Sequence, residues 1–141
     1  MARSRNLSVQ QFQDLMANLP KAVAAELKDV PNSQGQVLAN AMRSAVPRGV
    51  DGRNELLESI RVEEGKRPLQ VFVKAGGRLT TRQVRKGSGV DYDYALANEF
   101  GTQKMNAQPF FWPTYRLMKK RIRSAISRRA RKAIEKVVPL K

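Results

Sequence analysis

Tyr94-Ala95-Leu96-Ala97-Asn98-Glu99-Phe100-Gly101-Thr102, followed closely by Gln108-Pro109-Phe110-Phe111-Trp112-Pro113, is the stretch that decides the fold. Aromatic side chains crowd into it, and directly afterwards the chain switches to arginine-rich, helix-forming residues. Pro109 and Pro113 bias Gln108 and Trp112 towards extended backbone, so residues 109–113 read as a stiff link that carries no helix across from upstream. Gly101 reads as a position of positive φ or close backbone approach, which its neighbours cannot supply without strain. From Thr114, a candidate N-cap, Leu117, Met118, Ile122, Ala125, Ile126, Ala130, Ala133, Ile134 and Val137 recur at threes and fours. That spacing predicts one long amphipathic helix over 114–138, about 36 Å at roughly 1.5 Å per residue.

Working outward to the N-terminus, Ser8-Val9-Gln10-Gln11 has the form of a capping box, and Val9, Phe12, Leu15, Met16 and Leu19 follow at helical spacing. A first helix is expected to end near Asn18, with Pro20 opening a second through Leu27. Pro31-Asn32-Ser33-Gln34-Gly35-Gln36 is expected to interrupt again and cap a third helix over Val37–Ala45, ending before Pro47. The period then changes. Leu57, Ser59, Arg61 and Glu63 alternate with Leu56, Glu58, Ile60, Val62 and Glu64, and after Gly65 to Pro68 the run Leu69 to Lys74 alternates apolar and polar. These read as two antiparallel strands with one dry face from Ile60 and Val62 and from Leu69, Val71 and Val73. Gly76-Gly77 and Gly87-Ser88-Gly89 bracket a basic segment holding Arg78, Arg82, Arg85 and Lys86, whose middle, Leu79 to Val84, suits a third strand, a long hairpin or a mobile loop.

These signals predict an α+β fold: a small, mainly antiparallel sheet packed by N-terminal helices and one long C-terminal helix. One domain is expected over residues 1–141, with a helical part at 8–46, strands and the basic loop at 55–102, the aromatic-proline link at 109–113 and the long basic helix at 114–138. A length of 141 residues with 41% hydrophobic content suffices for one core. There is no apolar run long enough to cross a bilayer and no apolar signal-peptide core after Met1-Ala2-Arg3-Ser4-Arg5, so a soluble protein made in a cytoplasm, without membrane contact, is expected.

Zero cysteines and zero histidines remove thiolate chemistry, disulfides, the usual general base and the commonest metal ligand. Asp91, Asp93 and Glu99 are the remaining catalytic candidates, since hard carboxylate oxygens suit Mg²⁺-dependent phosphodiester cleavage. Their spacing is unpatterned. Asp91 and Asp93 are better suited to solvating a loop exit, and Glu99 to pairing with an arginine or accepting backbone N–H groups near the Gly101 turn. Lys86-Gly87-Ser88-Gly89 lacks the full phosphate-loop pattern and reads as a flexible loop tip. The expectation is no catalytic residue, no metal and no cofactor.

Charge is the other bound, with 27 Lys and Arg against 12 Asp and Glu giving a net +15. From Arg116 to Lys141 there are eleven basic residues and one acid, Glu135, so that segment alone supplies +10. Such a concentration suits a polyanion or an acidic protein surface. Arg121, Arg123, Arg128, Arg129, Arg131 and Lys132 are the candidate contacts with DNA or an acidic partner, against the plainer alternative of a solvated helix face. Phe100, Phe110, Phe111, Trp112 and Tyr115 are expected to anchor a loop on the core, with one or more rings left for a subunit contact.

Tyr94-Ala95, Glu99-Phe100-Gly101-Thr102 and Gln108-Pro109-Phe110, just before a C-terminal helix, resemble the signature of the HK97 gp10-like tail-component family of long-tailed bacteriophages. Upstream, Ala45-Val46-Pro47, Gly52-Arg53, Leu56 and Ser59-Ile60-Arg61-Val62 resemble that family's passage into its first strand, so the resemblance covers roughly Ala45 to Pro113. It implies a structural virion protein of the neck that completes the tail or joins head to tail as a ring, assembled in the host cytoplasm. The partners it implies are copies of itself, with six-fold symmetry, a connector or stopper protein, a tail-tube protein, and DNA passing through the ring channel. Tyr94, Ala95, Glu99, Phe100, Gly101, Thr102, Pro109 and Phe110 become signature residues, and Phe111, Trp112, Arg78, Arg82 and Arg85 candidate interface residues. The alternative from another class is a small basic nucleic-acid-binding protein.

Overall fold

The computed structural model describes residues 9–48 and 53–138. Ser8 with its cap, Gly52, and the side chains of Val9, Phe12, Leu15 and Met16 fall outside the described residues. The chain order is α1 (Val9–Leu27), α2 (Val30–Ala45), α3 (Arg53–Ser59), β1 (Arg61–Glu64), β2 (Val71–Lys74), β3 (Thr81–Gln83), β4 (Asp91–Asp93), α4 (Tyr94–Phe100) and α5 (Trp112–Val137). This is the expected α+β class, with the long C-terminal helix in place. α5 packs against α1 and α2, and α2 also lies on β1 and β2.

The helical third differs from the sequence expectation in two places. Pro20 sits inside a continuous α1 instead of separating two helices. An interior proline removes one helical hydrogen bond at a cost of about 3 kcal/mol, which the packing of α1 along α5 offsets. Pro31 lies in the first turn of α2, where its missing N–H is no loss, so residues 31–36 begin this helix where an interruption was expected. Gly35 is buried in α2, and a Cβ there would stand 3.0 Å from Cγ1 of Val62. The glycine therefore lets helix and strand approach closely.

The next segment also departs from its alternating pattern, because α3 occupies 53–59 and the strand starts only at Arg61. Leu56, Ser59 and Ile60 are all buried, at the i, i+3, i+4 spacing of a helix face. Arg43 donates to the carbonyl of Ile60 and ties α2 to the start of the strand. β1 pairs antiparallel with β2, setting Val62 opposite Val73. Leu69, expected on the dry face, instead has φ 61° and is exposed, because it belongs to the turn that Gly65 N closes on Gln70 O at 2.7 Å. β3 and β4 form the long hairpin, Thr81 opposite Asp93 and Gln83 opposite Asp91. Among the described residues the strands thus make two separate two-stranded ladders where one sheet was expected.

α5 begins at Trp112, two residues before the expected start, with Pro113 in its first turn. Thr114 is not its N-cap: the hydroxyl donates to Phe110 O at 2.7 Å from inside the helix. The core collects Leu38, Ala39, Met42 and Val46 from α2 and its end, Leu56 and Ile60 around α3, Tyr94 and Ala95 from α4, and Phe110. Among the described residues no helix is long and apolar enough to cross a membrane.

Phe110 is 1% exposed, whereas Trp112 is 46% exposed and touches Phe111 and Tyr115 edge-on, at centroid distances of 5.3 and 5.9 Å. Phe110→Ala is therefore expected to destabilise the fold by about 3–5 kcal/mol, and Trp112→Ala by about 1 kcal/mol. Denaturant melts of the two variants check this, and equal losses would contradict the placement of Phe110 in the core.

Candidate functional site

Two carboxylates organise the signature stretch. Asp93, the last residue of β4, is the N-cap of α4: its Oδ1 accepts from Ala95 N at 2.9 Å and from Thr80 Oγ1 at 2.6 Å. Its Oδ2 accepts from Gly77 N at 2.8 Å, so the same side chain fixes the turn that leads into β3. Gly76 is required here, with φ +89° and a hypothetical Cβ only 2.5 Å from Asp93 Oδ2. Ser59 Oγ completes the joint by accepting from Gly76 N at 3.1 Å and donating to Leu56 O at 2.7 Å.

Glu99, buried at the end of α4, reaches across to the start of α5. Its Oε2 accepts from Phe110 N at 2.8 Å and Phe111 N at 2.9 Å, and its Oε1 from Trp112 N at 2.9 Å. A helix start leaves backbone N–H groups without partners, and Phe111 supplies no side-chain cap. The carboxylate meets that need from another element and places negative charge at the positive end of the helix dipole. Between the two helices the chain turns sharply at Gly101, φ 76° and ψ 175°, where a Cβ would lie 2.9 Å from both Ala107 N and Met105 O. The 102–105 turn closes by Thr102 N donating to Met105 O at 2.8 Å, and Gln108 N donates to Asn98 O at 2.7 Å.

Tyr94, Ala95, Glu99, Gly101 and Phe110 therefore converge on one joint between α4 and α5. Pro109 and Thr102 lie on its exposed side, and Phe100 points outward at 65% exposure with Leu96 beside it at 60%. Phe100 is thus no core anchor, since the α4 face that carries Tyr94, Ala95, Asn98 and Glu99 takes the buried side. Phe111 is half-buried against the core, and Trp112 and Tyr115 are surface rings.

The carboxylates considered for catalysis do not form a cluster. Asp93 and Glu99 engage their oxygens with the donors just named, and Asp91 is exposed on β4 opposite Gln83. Among the described residues no three His, Cys, Asp or Glu side chains are grouped to hold a metal ion. Residues 86–89 form the exposed tip of the β3–β4 hairpin, with Ser88 N donating to Arg85 O at 3.0 Å.

The basic residues are on the surface. Arg78 and Arg85 are exposed, and Arg82 lays its guanidinium over the Tyr94 ring, 4.8 Å from the centroid. Burial raises the Tyr94 phenol above its ordinary pKa; the Glu55 charge adds to this and Arg82 opposes it. Arg121, Arg123, Arg128, Arg129, Arg131 and Lys132 are all exposed on α5. Among the described residues the ion pair that α5 makes is Lys136 with Glu26, at 2.7 Å.

Sequence reasoning missed the capping role of Asp93, although an Asp just before Tyr94-Ala95-Leu96-Ala97 is a recognisable N-cap signal. It also missed Arg48, Tyr92 and Lys104, which line a cleft beside Tyr94. In comparisons with protein-family models, curated proteins and solved structures, none matches this chain.

Removing the Glu99 carboxylate leaves three donors at a helix start without their acceptor. Glu99→Ala is expected to cost about 2–4 kcal/mol, combining a lost cap with partly buried unsatisfied N–H groups. Glu99→Gln should recover part of it, because one amide oxygen still accepts. Thermal melts of both variants test this; a Glu99→Ala protein as stable as the parent would remove the carboxylate from its organising role.

Proposed function

We propose that this chain is a structural virion protein of a phage neck, completing the tail or joining head to tail as an oligomeric ring. The observation that carries the proposal is the convergence of the signature residues on the α4–α5 joint, with Leu96, Phe100 and Trp112 left exposed beside it. Apolar side chains grouped in this way suit burial by a neighbouring subunit. In this reading the joint sets the angle at which α5 leaves the fold, and copies associate through Phe100, Phe111 and Trp112. The outer edges of β1–β4 and the hairpin bearing Arg78, Arg82 and Arg85 reach adjacent copies. Connector or stopper protein lies on one side of the ring and tail-tube protein on the other. The six-fold symmetry and the virion location come from the family resemblance. The chain does no catalysis in this role, and incubation with supercoiled DNA and Mg²⁺ is expected to leave the DNA intact.

A second reading, a small basic nucleic-acid-binding protein, is favoured by one observation: α5 exposes six cations clustered over residues 121–132. In the ring, those cations face DNA in the channel or an acidic partner surface. Mass measurement in native buffer, alone and with a tail-tube or portal-side partner, distinguishes the readings: a closed ring is expected, and a monomer that ignores both partners would refute the neck assignment.

Replacing Arg128, Arg129 and Arg131 together by Gln is expected to leave helix content and melting nearly unchanged, because glutamine is a comparable helix former. It should reduce the yield of filled, tailed particles counted by electron microscopy. Normal yields would assign these arginines to a solvated face.

A further inference from the structure

Beside the α4–α5 joint lies a cleft of about 770 Å³, of whose cations the neck reading uses only Arg82. Three cations from three separate elements line it: Arg48 just after α2, Arg82 on β3, and Lys104 on the 102–105 turn. Among the described residues no carboxylate does. Its floor is polar and aromatic, formed by the buried Asn98 and Tyr94, and Asn98 is held in place by donating from Nδ2 to Tyr94 O at 2.9 Å. Tyr92 stands on one wall, 43% exposed and directly opposite Arg82 in the β3–β4 register, so both side chains point to the same face of the hairpin. The turn that carries Lys104 is fixed too, because Gly101 and the Thr102–Met105 bridge clamp it.

We propose that this cleft binds a single strand of nucleic acid, with backbone phosphates at Arg48 and Lys104 and one base stacked on Tyr92. The cations supply attraction to phosphate and the exposed ring supplies a stacking platform, the two components that sequence-tolerant single-strand sites combine. A duplex offers phosphates but no free base face, and an acidic chain without aromatics, such as poly-glutamate, offers carboxylates but no ring for Tyr92. The net charge of +15 brings any polyanion to the surface, and the cleft then selects the one with an unstacked base. Arg82 serves as a wall of the site, holding the Tyr94 ring by its stacked guanidinium. The proposal holds for the isolated chain and does not depend on ring formation.

The test is fluorescence anisotropy of the purified full chain with a labelled thymidine oligonucleotide of about 15 nucleotides, a length within the range of such sites. Matched duplex and poly-glutamate serve as competitors. Arg48→Gln with Lys104→Gln should weaken binding at least roughly tenfold and make the slope of log affinity against log salt shallower by about 1.4, or about 0.7 for each of two phosphate contacts. Tyr92→Leu should weaken single-strand binding about tenfold, within the range for loss of one stacked base, and leave duplex binding unchanged. Arg48 and Lys104 are exposed, so their variant keeps the test open should Tyr92→Leu fold poorly, and thermal melts of each variant establish which case applies. Unchanged affinity in the Arg48–Lys104 double variant overturns the proposal. So does equal loss of single strand and duplex on Tyr92→Leu in a folded protein, or competition by poly-glutamate as strong as by unlabelled oligonucleotide. Native mass on the same preparation reports the ring separately, so either idea can fail alone.

Discussion

Three backbone N–H groups at the start of α5 converge on the carboxylate of Glu99, and the rest of the molecule is arranged around that contact. A helix of 26 residues rich in Lys and Arg has no acidic residue in its first turn to offset the positive end of its dipole. Glu99 supplies that charge from α4, and in doing so fixes where α5 begins and in which direction it leaves. Because α5 is the helix against which α1 and α2 both pack, an error at this joint would propagate through the helical layer.

A second carboxylate does comparable work on the other side of α4. Asp93 caps that helix and simultaneously gathers the Gly76–Thr80 turn, so the β3–β4 hairpin and α4 are held to one anchor. Together Asp93 and Glu99 bracket a seven-residue helix that could not persist alone, since helices this short do not recover the cost of nucleation. Tyr94 and Ala95 add burial to the two caps, and Phe110 fills the space beneath the joint. The glycines at 76 and 101 are needed because the backbone passes too close to Asp93 and to the 105–107 segment for any side chain.

What remains outside the core is as informative as what lies within it. Phe100, Leu96 and Trp112 sit exposed next to a rigid joint, and all three residues of β3 are exposed. The cations of α5 have acidic compensation only where Lys136 meets Glu26 among the described residues. Folding by itself accounts for neither the exposed rings nor the concentrated charge, and both suit contacts made with other molecules.

Periodicity determined a good deal of this on its own. The apolar spacing from Leu117 to Val137 specified α5, because a helix of that length repeats its signal many times, and the alternation at Val71 and Val73 specified β2. The α+β class and the special backbone at Gly101 were likewise readable. Where sequence and structure part, the deciding contacts are between elements distant in the chain. Pro20 stays helical because α1 lies along α5, and the 53–59 segment is a helix because Leu56, Ser59 and Ile60 find the core on one side of it. Glu99 and Asp93 were visible as carboxylates, and the local donor Ala95 N of Asp93 was readable, but their other donors lie 11 to 16 residues away and are brought close by the fold. The cleft of Arg48, Arg82 and Lys104 exists only in three dimensions, since local patterns encode the period of an element and not which elements meet.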